Sequence, residues 1–185
     1  MRPRVLLHVC CGPCSVYPVR VLLEQGYEVM GLFYNPNIQP LQEYLLRREA
    51  AEMAAGELGI RIIFQDRDAE PRFFLRQVVF REDNRCFLCQ QMRLERTRSV
   101  ALRGGFAFFA TTLMFSRIQP FEQIQMLGKS LETGKCTFLD QDFRTGWHQG
   151  NEQSRAMGLY RQNYCGCIYS EFERFRGKLG PSDEQ

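Results

Sequence analysis

The chain alternates short apolar runs with longer stretches in which apolar residues recur every three or four positions. The short runs predict buried strands, and the stretches with the longer period predict helices. The predicted strands cover residues 5–9, 28–34, 61–65, 106–110 and 137–139. The predicted helices cover residues 14–25, 41–58, a stretch around 73–80, 86–103, 121–131 and 152–159.

This order of elements predicts an α/β fold. Strands that alternate with helices form a parallel sheet with helices on both faces. Pro13 suits a first helical turn, and Gly26 and Gly59 suit helix ends. A length of 185 residues fits one domain over 1–185. In such sheets ligands bind at the carboxyl ends of the strands, and we expect a site there.

Composition narrows the class of protein. No apolar run approaches the ~20 residues of a membrane span, and the apolar stretch near the start is too short for a signal peptide. We therefore expect a cytoplasmic protein without a membrane partner. The net charge of +3 is too small to indicate a nucleic-acid partner by itself. Eight cysteines in a reducing compartment indicate metal or redox chemistry.

The densest cysteine motif is Cys10-Cys11-Gly12-Pro13-Cys14, at a predicted strand-to-helix turn. Thiolates near a helix N-terminus have a lowered pKa and bind soft metals. Adjacent residues of a regular strand point to opposite faces, so Cys10 and Cys11 can share one site only if the backbone turns. The Gly-Pro pair permits that turn.

Two further motifs are Cys86-x-x-Cys89, at a predicted helix start, and Cys165-Gly166-Cys167, in a predicted turn. Both have spacings that can chelate a metal. Cys136 stands alone, and we expect it in the core. Of the two histidines, His8 lies in an apolar strand and is expected to be buried, whereas His148 is expected to be exposed.

The cysteine inventory alone leaves three kinds of chemistry open. Two pairs could form a structural zinc site, which leaves Cys165 and Cys167 unexplained. Cys11 and Cys14 could exchange disulfides as a C-x-x-C pair. An iron–sulfur cluster uses about four thiolates, and the surplus could serve a second site. For Asp142, an ion pair at the surface and a place in the site are equally compatible with the sequence.

Six segments carry a resemblance to a known family. They are HVCCGPCS at 8–15, NPNIQP at 35–40, RCFLCQQMRLERT at 85–97, TTLMFSRIQ at 111–119, DFR at 142–144 and YRQNYCGCIYS at 160–170. In this order they are similar to epoxyqueuosine reductase of the QueH family. The resemblance extends from residue 5 to about residue 170.

The resemblance implies a fold like that of nucleotide-binding alpha/beta hydrolase-like (HUP-type) proteins. It implies reduction of epoxyqueuosine to queuosine at the wobble base of transfer RNA, without cobalamin. The implied cofactors are a [4Fe–4S] cluster and a second metal ion, expected to be iron. The implied partners are the tRNA anticodon loop and a low-potential electron donor. The rival functions are a heterodisulfide or thiol reductase and a structural zinc protein.

The resemblance also implies the site residues. By motif match the metal-ligand candidates are Cys10, Cys11, Cys86 and Cys89, and further members of the site are Cys14, Asp142, Cys165 and Cys167. The motifs do not assign which thiols hold the cluster and which hold the second metal. Asp142 and Tyr164 are the candidate acids for protonating the leaving epoxide oxygen. Arg93, Arg96 and Arg98 could contact phosphate, but a solvated helix face is the stronger expectation.

Overall fold

The computed structural model describes residues 2–180. Its strands are β1 (Arg4–His8), β2 (Glu28–Phe33), β3 (Arg61–Phe64), β4 (Phe108–Thr111) and β5 (Thr137–Phe138). Its α-helices are α1 (Gly12–Glu24), α2 (Leu41–Glu57), α3 (Pro71–Val78), α4 (Arg85–Arg103), α5 (Phe121–Ser130), α6 (Trp147–Ala156) and α7 (Ile168–Phe175). Short 3₁₀ turns connect several of them.

The five strands form one parallel sheet in the order β3-β2-β1-β4-β5. The central strand β1 is buried on both faces, since Leu6 and Leu7 are both fully inaccessible to solvent. This explains its continuous apolar sequence, because a strand covered on both sides has no polar face. The helices cover the sheet as two groups: α1 packs on α2 and α6, and α4 packs on α3 and α5. The predicted parallel α/β fold is confirmed.

Two late helices differ from the prediction. Helix α6 begins at Trp147 rather than at residue 152, and α7 was not predicted at all. Glycine has a low helix propensity, so a segment rich in glycine is not predicted as a helix. The start of α6 contains glycines because other side chains pack closely against it. A Cβ on Gly146 would lie 2.0 Å from the Tyr17 ring, so only glycine fits there. Helix α7 begins at Ile168 and is capped by Cys167, whose sulfur accepts a hydrogen bond from the Ser170 N–H, and cysteine is an unusual N-cap.

Between residues 2 and 180, no helix is long and apolar enough to cross a membrane.

Gly12 sets the approach of α1 to α2. A Cβ at this position would lie 2.3 Å from the carbonyl oxygen of Ala50, which is backbone and cannot move aside. We expect Gly12→Ala to lower the free energy of unfolding by about 1–3 kcal/mol, measured by urea denaturation. Gly56→Ala is the control, because a Cβ on Gly56 meets nothing within 4 Å. It should raise stability by about 0.5–1 kcal/mol, and equal stability of the two variants would contradict the close contact.

Candidate functional site

The first cysteine motif lies where β1 and β4 end side by side. His8 and Thr111 are the last residues of these strands and are neighbours in the sheet. The Cys10 N–H donates to the Thr112 hydroxyl oxygen at 3.0 Å, and this hydroxyl donates in turn to the Cys10 sulfur at 3.2 Å. The end of β4 therefore holds Cys10 at the carboxyl edge of the sheet. The predicted position of this motif relative to the strands is confirmed.

Cys10, Cys11 and Cys14 form a compact thiol triad. Their sulfur atoms all lie within 4.8 Å of one another, and those of Cys10 and Cys11 are 3.8 Å apart. A tetrahedral ion with metal–sulfur bonds of about 2.3 Å places its ligands about 3.8 Å apart. Cys10 and Cys11 therefore have the spacing of two ligands of one ion, Cys14 lies close enough to be a third, and the fourth position is left to another ligand.

Hydrogen bonds concentrate negative charge on Cys11, the N-cap residue of α1. Hydrogen bonds with Cys10 and Cys14 hold the pKa of the Cys11 thiol well below its usual value. The Gln162 side-chain amide also donates to the Cys11 sulfur, at 3.1 Å. The hydrogen bond between Cys10 and Cys11 has the opposite effect on Cys10. It is the largest cause of the rise in the pKa of Cys10 to about 11. The triad without metal therefore holds its first negative charge at Cys11, which favours a cation beside it.

The remaining site cysteines form a second group. Cys86 and Cys89 lie in the first two turns of α4, Cys167 caps α7, and Cys165 precedes it. Burial raises the pKa of the Cys89 thiol to about 12, and the nearby sulfurs of Cys165 and Cys167 add to that rise. Burial and the same two cysteines also raise the pKa of Cys86. Cys89 and Cys167 pack in one apolar cluster, so α4 and the segment before α7 bring four thiols into one region, the number that a [4Fe–4S] cluster takes.

The apolar side of this second group is closed by α3. Phe74 and Val78 of that helix are fully buried and pack in one cluster with Cys89 and Cys167. Cys86 and Cys165 lie on the open side and are exposed. A metal group held here would have one apolar wall and one face toward solvent.

A buried ion pair on α2 fixes the segment that carries Cys165. The Arg47 guanidinium donates to the carbonyl oxygens of Cys165 and Tyr164, at 2.8 and 3.0 Å. It also donates to Glu43 at 2.7 Å, and the other Glu43 oxygen accepts from the Tyr160 hydroxyl at 2.6 Å. Neither Glu43 nor Arg47 was among the site residues predicted from the sequence. The sequence does show two opposite charges four residues apart in a predicted helix, a spacing that indicates an ion pair.

A cleft of about 620 Å³ opens beside the two cysteine groups. Cys10 and Cys14 line it from one group and Cys165 lines it from the other. Much of the remaining wall consists of polar side chains, among them Asn35, Asn37, Gln119, Gln162 and Asn163. Its volume falls in the range of pockets that enclose a small organic ligand.

Tyr164 lines this cleft, as its proposed role requires. Its hydroxyl donates to the carbonyl oxygen of Gln39 at 2.6 Å. Burial, together with nearby Glu43, raises its pKa to about 12. The hydroxyl therefore keeps its proton at neutral pH.

Asp142 lies apart from the cleft lining, at the surface. Its two carboxylate oxygens accept hydrogen bonds from the Arg144 guanidinium, at 2.7–3.1 Å. These bonds hold the pKa of Asp142 below its usual value. The structure therefore brings the seven motif cysteines and Tyr164 to one edge of the sheet but does not place Asp142 beside them. The catalytic role of Asp142 stays a prediction.

The solvated face predicted for the arginines of α4 is wrong at Arg93. Only 3% of Arg93 is exposed, whereas Arg96 is half-buried and pairs with Asp68. Positions 86, 89 and 93 are three and then four residues apart, which places them on one helix face. This spacing indicated that Arg93 lies on the same face as the two cysteines. The prediction gave more weight to the charge of the side chain, which favours exposure to solvent.

The expectations for the two histidines and for Cys136 are confirmed. His8 is fully buried, with one ring nitrogen 2.9 Å from the Thr111 hydroxyl and the other 3.1 Å from the Tyr34 carbonyl oxygen. Burial lowers the pKa of His8 to about 4, so the ring is neutral. His148 is exposed, and Cys136 lies in the main apolar core.

The solved structure of U34-tRNA thiolase NcsA from Methanococcus maripaludis, with its [4Fe–4S] cluster, has a similar fold. The TM-score is 0.56 at 18% identity, over 91% of this chain and 61% of that one. At this identity the likeness concerns the fold alone. Together with the sheet order, it agrees with the HUP-type fold that the sequence motifs implied.

Higher sequence identity is found with proteins named epoxyqueuosine reductase QueH. The chain is 36% identical over 184 residues to epoxyqueuosine reductase QueH of Dehalococcoides mccartyi, and the match covers 98% of this chain and all of that protein. It is also 36% identical to the QueH of Thermotoga maritima, over 92% of this chain and 91% of that one. The model of the family described as epoxyqueuosine reductase QueH matches residues 5–173. This chain belongs to the epoxyqueuosine reductase QueH family.

Proposed function

We propose that this protein reduces epoxyqueuosine to queuosine at the wobble position of tRNA, as a cobalamin-independent oxidoreductase. Family membership over the full length of a relative supports the reaction. The observation that carries the proposal is the arrangement of two cysteine groups beside one cleft. A tRNA substrate and eight free thiols both fit a protein that works in the reducing cytoplasm.

We assign the two cysteine groups to two metal sites. Cys86, Cys89, Cys165 and Cys167 hold the [4Fe–4S] cluster, because four thiols spread over separate segments suit a bulky cluster better than one ion. The triad around Cys11 holds the second metal, an iron, because its sulfur spacing suits a single ion. When bound, the cluster supplies electrons one at a time from a low-potential donor, and the iron offers a Lewis-acid position.

The chain's own residues bind the nucleotide and supply a proton. Bases of an anticodon loop can leave their stack without opening a duplex, so a single nucleotide can enter the cleft. Removing the epoxide oxygen as water takes two electrons and two protons. Tyr164 holds a hydroxyl proton inside the cleft, next in sequence to Cys165. Arg174 lines the cleft and offers positive charge to a backbone phosphate.

The proton donor can be tested with a pair of tyrosines. We expect Tyr164→Phe to lower turnover by about 10²–10⁴-fold while the iron content stays unchanged, because the acid is lost and no ligand is touched. Tyr160→Phe is the matched control, since its hydroxyl donates to Glu43 and does not line the cleft. It should retain turnover within a few-fold, as measured by nucleoside analysis of the product.

The competing hypothesis places Asp142 in this role. Asp142 would have to exchange Arg144 for the substrate or the second metal when tRNA binds. On that hypothesis Asp142→Asn abolishes turnover, leaves the four-iron absorbance near normal and lowers total iron by about one equivalent if Asp142 is a ligand. Turnover within a few-fold of the parent would limit Asp142 to its ion pair. A Tyr164→Phe variant with parental turnover would argue against the assignment to Tyr164.

The function is tested with anaerobically prepared protein, dithionite, and an anticodon stem-loop that carries epoxyqueuosine. We expect conversion to queuosine, a brown protein, and about five irons with about four sulfides per chain. Binding should weaken as salt rises, because phosphate contacts release counterions. A colourless zinc protein would support the structural zinc alternative. Failure to convert the RNA, together with ready reduction of a disulfide, would support the thiol reductase alternative.

A further inference from the structure

Arg93 is a buried arginine without an acidic partner. Only 3% of the residue is exposed, and its Nε donates to the carbonyl oxygen of Cys89 at 3.1 Å. Within residues 2–180, no carboxylate forms an ion pair with Arg93, and its terminal nitrogens donate to no protein group. A buried guanidinium is costly unless an opposite charge lies beside it. The side chain therefore presents a positive charge, unpaired by any carboxylate among residues 2–180, at the wall of the cleft.

Arg47 shows how this protein pairs a buried arginine elsewhere. Arg47 is 2% exposed, and Glu43 together with two carbonyl oxygens occupies its guanidinium. Arg93 is equally buried but has a single carbonyl partner. The two arginines thus differ in their partners and not in their burial.

The cleft wall that includes Arg93 also includes cysteines of both groups. Arg93 lines the cleft together with Cys10 and Cys165, and its Nε contacts the backbone of Cys89. Cys89 and Cys165 belong to the second cysteine group, and Cys10 belongs to the triad. The guanidinium therefore lies at the wall of the cleft that both cysteine groups share, in contact with a residue of the group assigned to the cluster.

We propose that Arg93 is the counter-charge of the thiolate-bound cluster and raises its reduction potential. This inference rests on the proposed function, because it requires a cluster on Cys86, Cys89, Cys165 and Cys167. One electron from dithionite adds one negative charge to the cluster, with no proton transferred. A fixed positive charge nearby in a site of low dielectric constant stabilises the reduced form more than the oxidised form. Arg93 acts through the cluster and is a positioning residue.

The test is a redox titration of the anaerobic holoprotein, followed by electron paramagnetic resonance. In Arg93→Gln we expect the equilibrium constant for one-electron reduction to fall at least tenfold, equal to a midpoint 59 mV lower. Arg93→Lys keeps the charge and should stay within about threefold of the parent. Arg103→Gln is the matched control: it removes the same charge from an exposed position at the far end of α4 and should leave the midpoint unchanged.

An unchanged midpoint in Arg93→Gln with full iron content would overturn the inference. If its affinity for the anticodon stem-loop also fell, Arg93 would be a phosphate contact instead. Loss of iron in Arg93→Gln but not in Arg93→Lys supports the counter-charge, whereas loss in both variants overturns it in favour of packing. A parent protein without a four-iron spectrum would contradict the proposed function, and this is seen before any variant is compared.

Discussion

Replacing Cys89 with serine is expected to remove the iron–sulfur cluster and abolish turnover while the domain remains folded. Cys89 is 8% exposed and packs with Phe74, Val78 and Cys167, so its sulfur lies at the closed, apolar end of the second cysteine group. A serine hydroxyl is a hard ligand that does not replace a thiolate on iron. Loss of a residue that hydrogen-bonds to a metal ligand lowers the metal affinity or the activity of a site 10–100-fold. Loss of a ligand should lower turnover by more than about 100-fold.

The measurement is iron and acid-labile sulfide per chain, with circular dichroism to confirm the fold. Cys136→Ser is the matched control, because Cys136 is equally buried but belongs to the main core. A buried hydroxyl there costs about 1–3 kcal/mol of stability and should leave iron, sulfide and turnover intact. Full cluster absorbance in Cys89→Ser would show that the ligand assignment is wrong, and loss of iron in Cys136→Ser would extend the site to the core.

The sheet was predictable from sequence because its signals are local. A strand buried on both faces is a continuous apolar run, and the five predicted strands all exist with ends that differ by a residue or two. The start of α6 was not predictable in the same way. Gly146 and Gly150 are there because Tyr17 and Phe115 pack against them, and a contact between distant segments leaves no local pattern.

The site was predictable in part, for a similar reason. Cysteine motifs carry their own spacing, so the ligand candidates could be found before the fold was known. Their division into two groups could not, because it depends on where α4 and the segment before α7 meet. Arg93 was misjudged because its charge predicts exposure, whereas the fold buries it beside Cys89 at the wall of the cleft. Asp142 came from motif resemblance, and the ion pair that the sequence left open for it forms with its neighbour Arg144.

Replacing Cys11 with serine is expected to remove one iron per chain, leave four sulfides in place and abolish turnover. Cys11 is the residue on which the triad holds its negative charge, since Cys10 and Cys14 both hydrogen-bond to it and Gln162 donates to it at 3.1 Å. The variant keeps two thiols, which is too few to hold an ion with one position left open. Gln162→Ala removes only the amide donor and should weaken iron binding by about 10–100-fold without abolishing it.

The ratio of iron to sulfide decides which cysteine group holds the cluster. An isolated ion has no sulfide of its own, so its loss changes iron by one equivalent and sulfide by none. If Cys11→Ser instead loses iron and sulfide together, while Cys89→Ser loses a single iron, the two assignments are reversed. The sulfur spacing of the triad argues against that reversal: 3.8 Å between the Cys10 and Cys11 sulfurs matches ligands of one ion, whereas thiolates at separate corners of a cluster are held further apart.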